Sequence, residues 1–146
     1  MSELRDLYQE VILDHCKNPR NFQPLDDADA SADGHNPLCG DKLKVYVRTK
    51  DGKVEAVGFE GSGCAISTAS ASMMTENLQG KTIEEAEKLF EGFQELATSG
   101  AAPTDVGKLM VFSGVSEFPM RVKCATLPWH TMSAALAQSG DDVTTE

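Results

Sequence analysis

The pair Asp51-Gly52 sits between two stretches of alternating apolar and polar residues, and no other feature restricts the fold of this chain as much. Asp-Gly accepts the positive φ angles of a two-residue hairpin turn, which forces the flanking stretches to run antiparallel. Before the turn, Leu43, Val45 and Val47 alternate with Lys44, Tyr46 and Arg48; after it, Val54, Val57 and Phe59 form the return strand. On both sides of this hairpin the period becomes helical. Leu4, Leu7, Tyr8, Val11, Ile12 and Cys16 recur in steps of three and four, and Asn18-Pro19 ends that helix. Residues 23–36 are acidic, small and polar, a surface connection with one short strand near its end.

The segment beginning at Cys64 reads as a small-residue helix closed by Gly80. Thr82 and Glu85 form a capping box for the next helix, whose face of Ile83, Ala86, Leu89, Phe90, Phe93, Leu96 and Ala97 keeps phase up to Gly100. Between residues 101 and 119 only a short helix near Thr104 to Met110 is assignable. A last helix carries Val122, Ala125, Trp129, Met132 and Leu136. Inside it Pro128 predicts a kink or local break near residues 124–128, or else a fresh helix capped by Thr126 with Cys124 in the preceding loop. Strands early and helices late make an α+β fold, a small antiparallel sheet covered by helices, in one domain over residues 1–146 with a polar, frayed tail from about 139.

Asp plus Glu outnumber Lys plus Arg by 23 to 13, a net charge of −10. Such a surface repels nucleic acid and anionic membrane alike. No apolar run is long enough to span a bilayer, and the first residues lack a basic-then-apolar signal layout, so the expected location is cytoplasmic. In that compartment four cysteines point to metal binding or reactivity ahead of disulfides.

Three of the four have suggestive surroundings. Cys39 and Asp41 flank Gly40 at the mouth of a strand, where residues two apart share a face. Cys64 follows Gly61-Ser62-Gly63 at a helix start, where free N–H groups favour thiolate. Cys124 lies near Arg121 and Lys123, whose charge is expected to act the same way. Three thiolates and a carboxylate suit zinc and, less closely, iron. The spacing alone is weak, since the cysteines stand far apart and form no C-x₂-C pair; small buried core residues remain the alternative. Cys16, in phase with Leu4, Val11 and Ile12, reads as plain core. His35 reads as a surface loop residue, and His15 and His130 as structural.

The segments LDHCKNPRN, GHNPLCGD, FEGSGCAISTASASMMTE and RVKCATLPWH resemble, in order and spacing over nearly the whole chain, the U-type iron–sulfur assembly proteins. The resemblance implies their fold, a small antiparallel sheet under helices. It also implies their metal ligands, at Cys39, Asp41, Cys64 and Cys124. Within that family the chain looks like the SUF-type branch. Lys123 stands where the ISC-type scaffold has a histidine, the stretch from Glu117 to Lys123 departs from the ISC chaperone motif, the Cys64–Cys124 segment looks longer, and Cys16 replaces an expected tyrosine.

Two mechanisms follow from the resemblance. In one, zinc is held by the cysteines, and Cys39 acts as the catalytic acceptor of sulfane sulfur from a pyridoxal-phosphate cysteine desulfurase, so that the protein is a zinc-dependent sulfurtransferase. In the other, Cys39, Cys64 and Cys124 hold a transient [2Fe–2S] cluster on a non-enzymatic scaffold that passes it to apo-proteins. A structural zinc domain that recruits partners is the third reading. The partners implied are the desulfurase and the SUF assembly complex or apo iron–sulfur proteins, with no nucleic acid and no membrane.

Overall fold

A computed structural model describes residues 2–37, 39–102, 105–137 and 143–144. The chain begins with helix α1 (Ser2–Lys17) and continues into strands β1 (Ala30–Asn36), β2 (Asp41–Lys50) and β3 (Lys53–Ser62). Helices α2 (Ala65–Leu78) and α3 (Ile83–Ser99), a 3-10 helix (Gly107–Glu117) and helix α4 (Pro119–Ala137) follow. The three strands form an antiparallel sheet in the order β3-β2-β1, and Val143–Thr144 (β4) adds a parallel edge beside Gly34 and His35 of β1. The rest of the tail, like Leu38, Pro103 and Thr104, lies outside the described residues.

The β2–β3 hairpin forms as the alternation requires. Asp51 (φ 54°) and Gly52 (φ 76°) both take the left-handed turn geometry. Leu43, Val45, Val47, Val54, Val57 and Phe59 all turn to the helix-covered face and are buried. The short strand expected before residue 36 is seven residues long, and its Ala32, Gly34 and Asn36 face inward. At Gly34 helix α4 comes so close that an added Cβ would lie 2.1 Å from Thr131 Oγ1, so only glycine admits this approach.

Helix α2 is the central layer. Its small residues let α4 and α1 pack directly against it, and two serines make the ties. Ser70 Oγ donates to the Ala125 carbonyl (2.5 Å) and accepts from Trp129 Nε1 (3.1 Å), binding α2 to α4. Ser72 Oγ accepts from the Arg20 backbone N–H (2.8 Å) and pairs with His15 Nδ1 (2.7 Å), binding α1 and its exit to α2. Trp129 is fully buried and stacks on Phe93 with ring centres 4.7 Å apart. The Thr82–Glu85 capping box is present, and Gly100 ends α3 in the left-handed conformation.

Three local expectations are corrected. Cys16 is only half-buried, because the stripe of α1 that meets α2 runs through Tyr8, Val11 and Ile12 to His15, which is 6% exposed. The short helix expected near Thr104 to Met110 is a 3-10 helix that covers Gly107–Glu117, longer and further along the chain; Leu109, Phe112 and Val115 recur every third residue and are all buried, which matches three residues per turn. Helix α4 is uninterrupted at Pro128, so neither the local break nor a fresh start capped by Thr126 occurs. Thr126 Oγ1 instead donates back to the Val122 carbonyl inside the helix (2.9 Å), and burial of Leu127, Pro128 and Trp129 outweighs the one missing backbone donor.

Candidate metal centre

The four residues that the sequence singles out converge on one end of the sheet. The β1–β2 connection folds as a tight turn in which the Asn36 carbonyl accepts from Cys39 N (3.2 Å) and Gly40 N (2.8 Å). Gly40 supplies the positive φ of 75° that this turn needs. Cys39 is therefore carried half-buried on the turn, and Asp41 opens β2 fully buried on its inward face. Cys124, 85 positions from Cys39, reaches the same place from the first half of α4 and is also fully buried.

The sulfurs of Cys39 and Cys124 lie 3.0 Å apart as free thiols. Together with a carboxylate oxygen of Asp41, they form a group whose ligand atoms all lie within 4.8 Å of one another. Cys64 stands at the edge of this group. It caps the N-terminus of α2, its Sγ accepting from Ser67 N (3.4 Å), and that sulfur is 3.9 Å from Asp41 Oδ2. The structure thus brings three of the four residues close together and leaves the fourth, Cys64, one step outside.

Asp41 is fixed by the loop before α2. Its Oδ1 accepts from the Cys64 backbone N–H at 2.7 Å, one of the donors that a helix N-terminus leaves without a partner. Gly63 makes this possible, because a Cβ there would lie 2.7 Å from the same oxygen. Gly61, with φ of 142°, would place a Cβ 2.2 Å from the Lys42 carbonyl. Gly61 near the end of β3 and Gly63 in the loop after it are thus required by the close passage of this stretch against the start of β2.

In the metal-free chain the charge of Cys124 runs against the expectation from its basic neighbours. Burial pushes its thiol far above the usual range, with hydrogen bonding to Cys39 and Asp41 and the charge of Cys64 adding to it. Arg121 and Lys123 lie on the more exposed side of the helix, whereas helical phase turns Cys124 inward. A buried sulfur among acids favours the neutral thiol until a cation compensates its charge, and a bound divalent metal deprotonates such a thiol outright. The donor set fits zinc, which takes thiolate and carboxylate ligands in a four-coordinate site.

Sequence reasoning attached no role to Asn36, although it lies within the GHNPLCGD segment. Its amide Nδ2 lies 3.9 Å from Cys124 Sγ, with the side chain fully buried. The signal was available, since a polar residue closing the inward series Ala32, Gly34, Asn36 must find a buried partner. The histidines stay outside the group: His35 is exposed on β1, His15 pairs with Ser72, and His130 sits edge-on against Phe90 at 5.0 Å between ring centres.

Residues 7–125 match the model of the NifU-like N terminal domain. The chain belongs to this family. A solved NifU-like N-terminal protein of Brucella abortus shares the architecture described above, with a TM-score of 0.83 at 27% identity over 91% of this chain and 94% of the other. The chain is 41% identical over 139 residues, 94% of each chain, to the zinc-dependent sulfurtransferase SufU of Bacillus subtilis. It is 38% identical over 143 residues, 97% of this chain and 89% of the relative, to the iron–sulfur cluster assembly scaffold protein IscU of Streptococcus pyogenes. Among solved structures it resembles a protein of Fervidobacterium islandicum described as a putative iron–sulfur cluster assembly scaffold protein for the SUF system. That likeness has a TM-score of 0.82 at 36% identity and covers 87% of this chain and 94% of the other. No helix among the described residues is long and apolar enough to cross a membrane.

Proposed function

We propose that this protein serves iron–sulfur cluster assembly as a zinc-dependent sulfur acceptor. Cys39, Asp41, Cys64 and Cys124 hold the zinc, and Cys39 receives sulfane sulfur from a pyridoxal-phosphate cysteine desulfurase. The observation that carries this reading is the compact group of two thiols and a carboxylate, with a third thiol beside it. The Bacillus subtilis relative named as a zinc-dependent sulfurtransferase supports the same assignment.

When bound, zinc supplies the positive charge that keeps the sulfurs as thiolates while damping their nucleophilicity. The protein's own contribution is the unequal tethering of those sulfurs. Cys124 is buried and fixed in a helix interior, and Cys64, half-buried like Cys39, is fixed at a helix N-cap, whereas Cys39 rides on a turn. It can swing toward a partner with the least distortion. Its thiolate attacks the outer sulfur of the donor's persulfide; a new S–S bond forms on Cys39 as the old one breaks, and the donor cysteine leaves as thiolate.

The scaffold reading draws on the same three thiols and on the relative named IscU. Incubation with a cysteine desulfurase and cysteine, followed by alkylation and peptide mass spectrometry, separates the two. Persulfide on Cys39, with faster desulfurase turnover that depends on bound zinc, is the expected result. Labelling of Cys64 or Cys124 instead, or unchanged turnover together with cluster transfer after iron loading, would overturn the acceptor assignment.

A further inference from the structure

Asn36 meets the centre in three ways, none of which ligates anything. Its backbone carbonyl closes the turn that carries Cys39, accepting from Cys39 N and Gly40 N. It is the cross-strand partner of Asp41 in the β1–β2 register, and both side chains face the helix-covered side, fully buried. Its side-chain amide lies against Cys124 Sγ, 88 positions away in sequence, at 3.9 Å. The pattern of β1 would be equally satisfied by a small apolar side chain, as it is at Ala32, and a buried carboxamide is costly to keep without partners.

We propose that Asn36 is a positioning residue of the centre, whose carboxamide holds the Cys124 sulfur in register with Cys39 and Asp41 through an N–H···S bond. The choice of group has a chemical logic. A carboxamide donates to a negative sulfur more strongly than to a neutral one, yet it brings no charge and cannot lose its proton. An acid here would add to the negative charge of Asp41 and the thiolates, and a lysine would compete with the metal. The inference rests on the reading of these residues as one metal centre and extends it to a residue outside the ligand set. Partners of this kind orient a ligand before the metal arrives, and their loss typically weakens metal binding roughly 10- to 100-fold.

The test compares the full chain with Asn36→Ala and Asn36→Leu, the second matching asparagine in branching and heavy-atom number but bulkier and without a donor. Each is titrated with Co²⁺ in place of zinc, and far-UV circular dichroism checks the fold. Both variants should bind Co²⁺ roughly 10- to 100-fold more weakly, with a diminished thiolate-to-cobalt charge-transfer band at saturation. If the wild type shows the band and both variants match it in affinity and intensity, the centre stands and the role of Asn36 is overturned. If the wild type itself shows no band, the metal-centre reading fails and takes this inference with it. Should neither variant fold, nuclear magnetic resonance of the wild-type chain decides. The Asn36 side-chain amide signal should move on zinc addition by more than those of Asn18, Asn21 and Asn77, and an unmoved signal would overturn the proposal.

Discussion

Asp41 shows how much one side chain is asked to do. One oxygen is committed to the Cys64 backbone N–H, and the other faces the Cys64 sulfur, so the carboxylate links the loop before α2 to the centre. Asp41→Ala should therefore have two separable effects. Loss of the buried hydrogen bond should cost about 1–3 kcal/mol of stability. Loss of an oxygen donor should speed zinc release to a chelator severalfold or more, with helical content near wild type. Zinc release at the wild-type rate would show that Asp41 is not a ligand. The same scale shows what neighbours in sequence could not reveal. Arg121 and Lys123 suggest a thiolate at Cys124, yet burial of that residue acts in the opposite direction and is the leading effect on its thiol.

At the scale of elements, the attachment of α1 depends on a titratable residue. His15 is buried between α1 and α2, hydrogen-bonded to Ser72, with Nε2 3.7 Å from Glu76. Burial, then the charge of Arg20, holds its pKa below the ordinary 6.5, while Glu76 and Asp14 oppose them. The folded chain thus prefers neutral His15. As pH falls through 6.5 the unfolded chain takes up the proton first, so stability is fully present above that value and is lost below it. Burial lowers His130 in the same direction. Thermal midpoints of the metal-free chain between pH 7.5 and 5 should fall, and His15→Gln should make the decline shallower. An unchanged decline in the variant would show that His15 does not govern it.

For the whole molecule, what could be read from the sequence follows from how local each determinant is. The β2–β3 hairpin, the α3 capping box and the phase of α4 are encoded within a few turns or one strand pair, and they stand as the periodicity implies. The 3-10 helix was hidden because its period of three is too close to the helical 3.6 in a stretch broken by Gly107 and Gly114. Cys16 stands in phase with the apolar residues of α1, yet His15, one residue earlier, takes the inward place through a hydrogen bond to Ser72 that no hydrophobic pattern records. The centre is the least local feature of all. Its cysteines are separated by long stretches of chain; their local surroundings suggest a shared site, and the family resemblance implies it as a ligand set. Asn36 shows the limit, since its partner Cys124 is known only once α4 is seen to lie over the end of β1.

Zinc K-edge X-ray absorption on protein purified without added metal tests the central claim most directly. The result expected is one zinc per chain with three sulfur neighbours at about 2.3 Å and one oxygen neighbour. A sample without stoichiometric metal, or a first shell made only of nitrogen and oxygen, would contradict it.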